Sequence, residues 1–197
     1  MIDTDVGSET DAVIIASSVH EPELFTALYE RHAPAIHRYV ARRLGTDMAD
    51  DLMAETFLIA FRQRESYDQS RPDARPWLYG IATNLVAQHA KAEARMWRTI
   101  ARTGIDPAMD SPADRVVEQV SASGTRRSLA AALARLHPGQ RDVLLLTAAG
   151  GLTSTEIATA LGVSPGTVHS RLNRARKKMR AAFGGIDPLD VPEGLDR

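Results

Sequence analysis

The stretch Thr153–Arg180, T-S-T-E-I-A-T-A-L-G-V-S-P-G-T-V-H-S-R-L-N-R-A-R-K-K-M-R, constrains the fold more tightly than any other part of the chain. Thr153 and Glu156 have capping-box spacing, so a helix opens there with two orphan amides satisfied reciprocally. Ile157, Ala158 and Leu161 give that helix one apolar face. Gly162 supplies the residue that can turn left-handed to end it. Ser164 followed by Pro165 restarts a helix, with a side-chain cap and proline at the first helical position. Two short helices joined by a tight glycine-containing turn form a helix-turn-helix pattern.

The second helix carries the chemistry. Val168, Leu172, Ala175 and Met179 recur at helical spacing and pack inward. Thr167, His169, Ser170, Arg171, Arg174, Arg176, Lys177, Lys178 and Arg180 supply polar and cationic groups around them. Residues near the start of such a helix reach base edges in a major groove, while later basic ones fall beside phosphates. A basic amphipathic helix alone is equally suited to solvent or an acidic partner. Joined to a capped, glycine-turned preceding helix, it points to DNA.

Charge placement agrees. The net charge is only −1, but residues 127–183 hold nine basic and two acidic side chains, a balance of +7. Residues 1–65 balance to −6 and residues 66–102 to +3. Such asymmetry predicts different partners for different surfaces. The chain of 197 residues is long enough for one domain or two small ones, and 44% hydrophobic content is ordinary for a globular protein. No run of about 18 apolar residues exists, and no basic segment precedes an apolar one at the N-terminus. Neither membrane insertion nor a secretory signal is therefore expected. The absence of cysteine removes disulfides, thiolate catalysis and cysteine-ligated zinc. It weakly favours a cytoplasmic setting.

Along the chain, residues 1–20 read as a mobile arm with at most a helical turn around Val13–Ala16. An amphipathic helix from Pro22 carries Leu24, Phe25, Leu28, Tyr29, Ile36, Val40 and Leu44 and ends at Gly45. A second runs from Thr46 or Asp47 to about Arg64, with Leu52, Phe57, Leu58 and Phe61 apolar. Asp47, Asp51 and Glu55 line one of its faces. Ser66–Pro76 has loop composition. Trp77 to about Arg102 reads as a third long helix, in which Gly80 allows a close approach. Residues 103–126 read as a linker, spanning roughly 25–30 Å as a coil. Helices over Ser128–Leu136 and Gly139–Ala149 precede the helix pair, and the acidic tail 184–197 reads as unstructured. No strand-like alternation occurs. The expected fold is all-α, with two small helical domains, 21–102 and 127–183, joined by a flexible linker.

Taken together, these residues resemble a known family. L-H-P-G-Q-R-D-V-L-L-L (136–146) and G-L-T-S-T-E-I-A-T-A-L-G-V-S-P-G-T-V-H-S-R-L-N-R-A-R (151–176) are similar to the promoter-reading C-terminal domain of bacterial sigma factors. D-D-L-M-A-E-T-F-L-I-A-F (50–61) and R-P-W-L-Y-G-I-A-T-N-L-V-A (75–87) are similar to the N-terminal domain of the same family. The order of the two blocks, with no third domain between them, resembles the extracytoplasmic-function (ECF) group.

The resemblance implies a transcription initiation factor that binds core RNA polymerase, recognises promoter DNA and assists its opening. For polymerase binding it implies Asp50, Asp51, Glu55, Phe57 and Phe61, an acidic and apolar surface suited to a basic partner. Phe57 and Phe61 are also natural core residues. For the −10 element it implies Ser66, Tyr67, Asp68, Gln69, Trp77 and Asn84, since unstacked bases need polar edges and aromatic faces. Trp77 serves equally well as a core anchor. Arg95 and Arg98, with Arg102, suit backbone contacts. For the −35 element it implies Pro165, Thr167, His169, Ser170, Arg171 and Arg174. Arg176 and Lys177, with Lys178 and Arg180, supply sequence-independent attraction. An anti-sigma protein is an implied partner. No catalytic residue, metal or cofactor is expected.

The chain departs from the family pattern at Ala54, Gln88 and Lys91, and at Leu136-His137-Pro138, which carries one extra residue before the proline. Linker acids Asp106, Asp110 and Asp114 suit passage through the polymerase's RNA path, where cationic walls accept a nucleic-acid-like chain, and the acidic tail suits contact with the +7 domain. Two other readings stand beside the sigma factor. One is a helix-turn-helix regulator without sigma activity, for which Asp50–Phe61 would be superfluous. The other is a carboxylate-rich helical metalloenzyme using Asp47, Asp51, Glu55, His32 or His37, although no Glu-x-x-His pair occurs.

Overall fold

A computed structural model describes residues 9–103, 129 and 131–183, with the side chains of 92–103 outside that description. The expectations for Arg95, Arg98 and Arg102, for residues 1–8, for most of the linker with Asp106, Asp110 and Asp114, and for the tail 184–197 lie outside the described residues. The chain folds as two compact units. Among the described residues every regular element is helical.

The N-terminal unit contains α1 (Asp11–Ser17), α2 (Phe25–Leu44), α3 (Ala49–Gln63) and α4 (Arg75–Thr103). Helices α2, α3 and α4 pack on one another in all three pairings, and α1 lies against α2. The core is assembled from one stripe of each: Leu28, Ile36, Tyr39 and Val40 from α2, Leu52, Phe57 and Ala60 from α3, and Leu78, Tyr79, Leu85 and Val86 from α4. Tyr39 meets Tyr79 edge-on with centroids 5.3 Å apart, and its hydroxyl bonds Thr83 at 2.7 Å, so the buried phenol keeps a polar partner. Gly45, at φ +89°, ends α2 as its composition predicts. Pro34 sits inside α2 on an exposed position, where the carbonyl it leaves unbonded can reach water.

Residues 9–20 differ from the expected arm. Residues 11–17 form a helix whose Ile14 and Ile15 are 2% and 0% exposed. Seven residues are too few for an isolated helix in water. Burying two isoleucines contributes roughly 3–6 kcal/mol, and the Asp11 carboxylate is anchored from two other elements. Pro22 opens a 3₁₀ turn, Pro22–Leu24, and α2 follows at Phe25. The second helix opens at Ala49, two residues later than Asp47.

In the C-terminal unit, residues 131–134 are helical and are followed by α5 (Pro138–Ala148), α6 (Ser154–Leu161) and α7 (Pro165–Ala182). Ala132, Leu136, Leu144, Ala175 and Met179 form its centre, with Leu133, Leu172 and Phe183 packed around them. His137 becomes the N-cap of α5, its carbonyl accepting the Gln140 and Arg141 amides at 2.8 and 3.0 Å. Arg141 then reaches back to the carbonyls of Leu133 and Ala134, both at 2.9 Å. It thus satisfies acceptors at the end of the preceding turn.

Candidate functional surfaces

The turn between α6 and α7 forms by the chemistry its residues specify. The Thr153 amide donates to the Glu156 carboxylate at 2.7 Å and the Glu156 amide to the Thr153 hydroxyl at 3.3 Å, closing the capping box. Gly162 adopts φ +62°, and the Val163 amide returns to the Ala158 carbonyl at 3.0 Å. Ser164 accepts the Thr167 amide at 3.2 Å, with Pro165 at the first helical position. Val168, Ala175 and Met179 are buried, which fixes the rotation of α7 and turns the opposite face outward.

That geometry sorts the eight residues assigned to the −35 element. Pro165, His169, Ser170, Arg174 and Lys177 are exposed, while Thr167, Arg171 and Arg176 are half-buried. Thr167 shares its hydroxyl with Ser164 at 3.0 Å, and Ser170 donates to the Thr167 carbonyl at 3.0 Å. The Arg171 guanidinium lies on the first turn of α5, where a Cβ at Gly139 would come within 3.1 Å of it. The Nε of Arg176 is buried without a hydrogen-bond partner among the described residues. Arg174 and Lys177 are exposed, without a hydrogen bond or ion pair to any described residue. Asn173, absent from the expected set, is exposed one turn beyond His169. Helical periodicity alone would have found it, because it falls on the same outward stripe.

The loop expected over Ser66–Pro76 is shorter: a 3₁₀ turn takes in Arg64–Ser66 and α4 already begins at Arg75, so residues 67–74 form a self-braced loop between them. Asp68 accepts the Ser70 amide and hydroxyl at 3.2 and 2.6 Å and the Arg71 guanidinium at 2.9 Å. The serine and arginine hydrogen bonds hold its carboxyl below the usual range. Tyr67 does not face solvent as a base-stacking role requires. It is 7% exposed, its hydroxyl donates to the Arg71 carbonyl at 2.8 Å, and its ring lies 4.9 Å from Trp77. Burial, then the Asp11 and Asp73 charges, push its phenol up to about 12. Trp77 is half-buried beside it, and Ser66 donates to the Gln63 carbonyl at 2.8 Å. Gln69 and Asn84 are exposed, with no hydrogen bond to any described residue.

The end of this loop is held from outside by Asp11. One carboxylate oxygen takes the Ala74 amide and His32 Nε2, each at 2.8 Å, and the other takes Arg31 at 2.6 Å. Burial alone would raise the Asp11 pKa. The His32, Ala74 and Arg31 interactions outweigh it and lower the group to about 2. Asp73 adds a bond from the Arg75 amide at 2.9 Å. Two carboxylates therefore meet the amides at the start of α4, the end of a helix that favours negative charge.

On α3 the acids Asp50, Asp51 and Glu55 are exposed. Phe57 is not available to a partner: it is 5% exposed and packs edge-on to Tyr29 at 4.9 Å. Phe61 is half-buried, edge-on to Phe25 at 5.3 Å, with the Arg64 guanidinium 4.0 Å above its ring. The apolar surface falls instead on Leu58, 47% exposed, and Tyr29, 40% exposed. Tyr29 also lines an open groove with Pro34, His37, Asp50 and Met53. His32 is bonded to Asp11 and His37 lies 3.3 Å from Asp50. Among the described residues no three His, Asp or Glu side chains gather as a metal site.

Comparison with known proteins gives these surfaces a context. The family model for sigma-70 region 2 matches residues 28–96, and that for sigma-70, region 4, matches residues 126–179. The ECF RNA polymerase sigma factor SigL of Mycobacterium tuberculosis is 31% identical over 170 residues, covering 86% of this chain and 94% of SigL. CarQ of Myxococcus xanthus, an RNA polymerase sigma factor, is 31% identical over 169 residues, covering 84% and 92%. CnrH, an RNA polymerase sigma factor of Cupriavidus metallidurans, is 30% identical over 186 residues, covering 88% and 94%. A structure of CnrH in complex with the cytosolic domain of CnrY aligns with a TM-score of 0.63 at 28% identity, covering 88% of this chain and 97% of that one. Fold and sequence together define a transcription factor of the sigma type, not an enzyme. The chain belongs to the sigma-70 family and, within it, to the ECF group.

Proposed function

We propose that this sigma factor divides its work between its two units. The C-terminal unit, 127–183, meets the −35 element with α7, through His169, Ser170 and Arg174 on the reading edge and Arg176 and Lys177 on phosphates. The N-terminal unit, built from α1 to α4, binds core polymerase with the exposed face of α3. Asp50, Asp51 and Glu55 supply charge for a basic partner, and Leu58 with part of Phe61 supplies apolar area. The loop after α3, through its exposed Gln69, and Asn84 on α4 hold the −10 element. Tyr67 and Asp68 act there as braces. The observation that supports the reading most directly is α7: a capped helix with its apolar side buried and its basic, amide and imidazole groups turned outward.

A protein with this task works where the polymerase is, in the cytoplasm. No helix among the described residues is long and apolar enough to cross a membrane. CnrH forms its complex with the cytosolic domain of CnrY. By the same logic a regulatory protein of the anti-sigma kind would cover the polymerase-binding faces of this chain.

Run-off transcription with purified bacterial core polymerase, this protein and a genomic fragment library tests the proposal. Discrete transcripts that depend on the protein are expected. DNA binding without such transcripts would support a regulator lacking sigma activity and sink the initiation reading.

A further inference from the structure

The polar side chains along α7 do not compete equally for a base edge. The hydroxyls of Thr167 and Ser170 are engaged within the helix and its cap, and Arg171 lies against Gly139. His169 differs in kind. Its Nδ1 sits 2.9 Å from the Pro165 carbonyl oxygen. A carbonyl oxygen can only accept, so Nδ1 carries the proton. In the neutral ring, Nε2 is then a bare lone pair, an acceptor and never a donor.

Asn173 lies four residues further on, exposed and without a hydrogen bond to any described residue. Positions i and i+4 share a helix face. They are about 6 Å apart along the axis, one to two base-pair steps of roughly 3.4 Å.

We infer that, beside Arg174 on the reading edge, His169 and Asn173 form a base-selecting pair of α7, and that both demand an exocyclic amine in the major groove. Asn173 selects adenine, taking the N6 proton and donating to N7. His169 selects adenine or cytosine, whose N6 and N4 amines donate to Nε2. Guanine O6 and N7 and thymine O4 would face that lone pair with their own and are rejected. The inference rests on the reading of α7 as the −35 helix and adds which chemical edge it selects.

The test is transcription by the full chain with core polymerase from templates randomised across the −35 element. The wild type should enrich adenine or cytosine at one position and adenine at another within two steps. His169→Lys, which can only donate, should move the first position to guanine and leave the second unchanged. His169→Gln, which keeps an acceptor, should retain adenine there. Asn173→Ala should flatten only the second position, by roughly 3- to 10-fold, the worth of one or two hydrogen bonds. Guanine or thymine at the wild-type position, an unchanged profile in His169→Lys or in Asn173→Ala, or an equal loss across every sequence would overturn the pair. An equal loss would put both residues on phosphates. If the wild type yields no core-dependent transcript, the initiation reading fails on its own. Selection of the same randomised duplexes by the free full chain then decides the pair by the same criteria.

Discussion

At neutral pH the Asp11 carboxylate holds three donors at once, from Ala74, His32 and Arg31. Its pKa falls from 3.8 to about 2 in the folded chain. A depressed carboxylate stabilises the fold above its unfolded pKa, and that contribution disappears as pH falls through the folded value. The window is therefore between about pH 4 and pH 2. Asp11→Asn should cost about 2–3 kcal/mol at pH 7 and flatten the acid limb of the stability curve in that window, as urea melts at a series of pH values would show. On α3, neighbouring apolar residues should separate stability from function. Phe57→Ala should cost about 3–5 kcal/mol through a core cavity. Leu58→Ser, at an exposed position, should stay within about 0.5 kcal/mol in stability yet weaken core polymerase binding about 10-fold, the scale of an apolar interface contact. Loss of stability without loss of polymerase affinity in Leu58→Ser would contradict that division.

Among the elements, α6 depends on its ends. With eight residues it is short, and both termini are specified by side chains: the Thr153–Glu156 box and Gly162 at φ +62°. Glu156→Ala should lower the stability of the C-terminal unit by about 1 kcal/mol. Gly162→Ala should cost a similar amount or more, because the backbone there is left-handed and only glycine adopts it freely. Both effects should register in thermal melts, and DNA selectivity should survive in any variant still folded at the assay temperature. These ends were legible because a cap is a local bond between residues three apart. Helix α1 was not legible for the converse reason. Its stability comes from Ile14 and Ile15 under α2 and from Asp11 reaching His32 and Ala74, partners 21 and 63 residues away. No short window contains them.

For the whole molecule, the separation of charge governs how DNA binding responds to salt. The C-terminal segment balances to +7 in a chain of net −1, and Lys177 and Lys178 are exposed on α7. Replacing both with alanine should weaken promoter binding by the polymerase complex evenly across sequences. It should also reduce the slope of log K against log salt by roughly 2, about one unit per phosphate contact. A change confined to particular −35 sequences would mean that they read bases. By itself the sequence determined the all-α class, the capped helix pair, the inward stripe of α7 and the family. Each of these depends on residue type at fixed short spacing, and the two motif blocks are independent of each other. Only the tertiary structure decided which aromatic residues were surface and which were core. Phe57 and Tyr67 look like partner-binding groups in the sequence, yet Tyr29 covers one and Arg71 and Trp77 hold the other. It likewise turned Leu58 outward. Burial is set by what other elements place over a residue, and helical periodicity fixes a face without saying what will cover it.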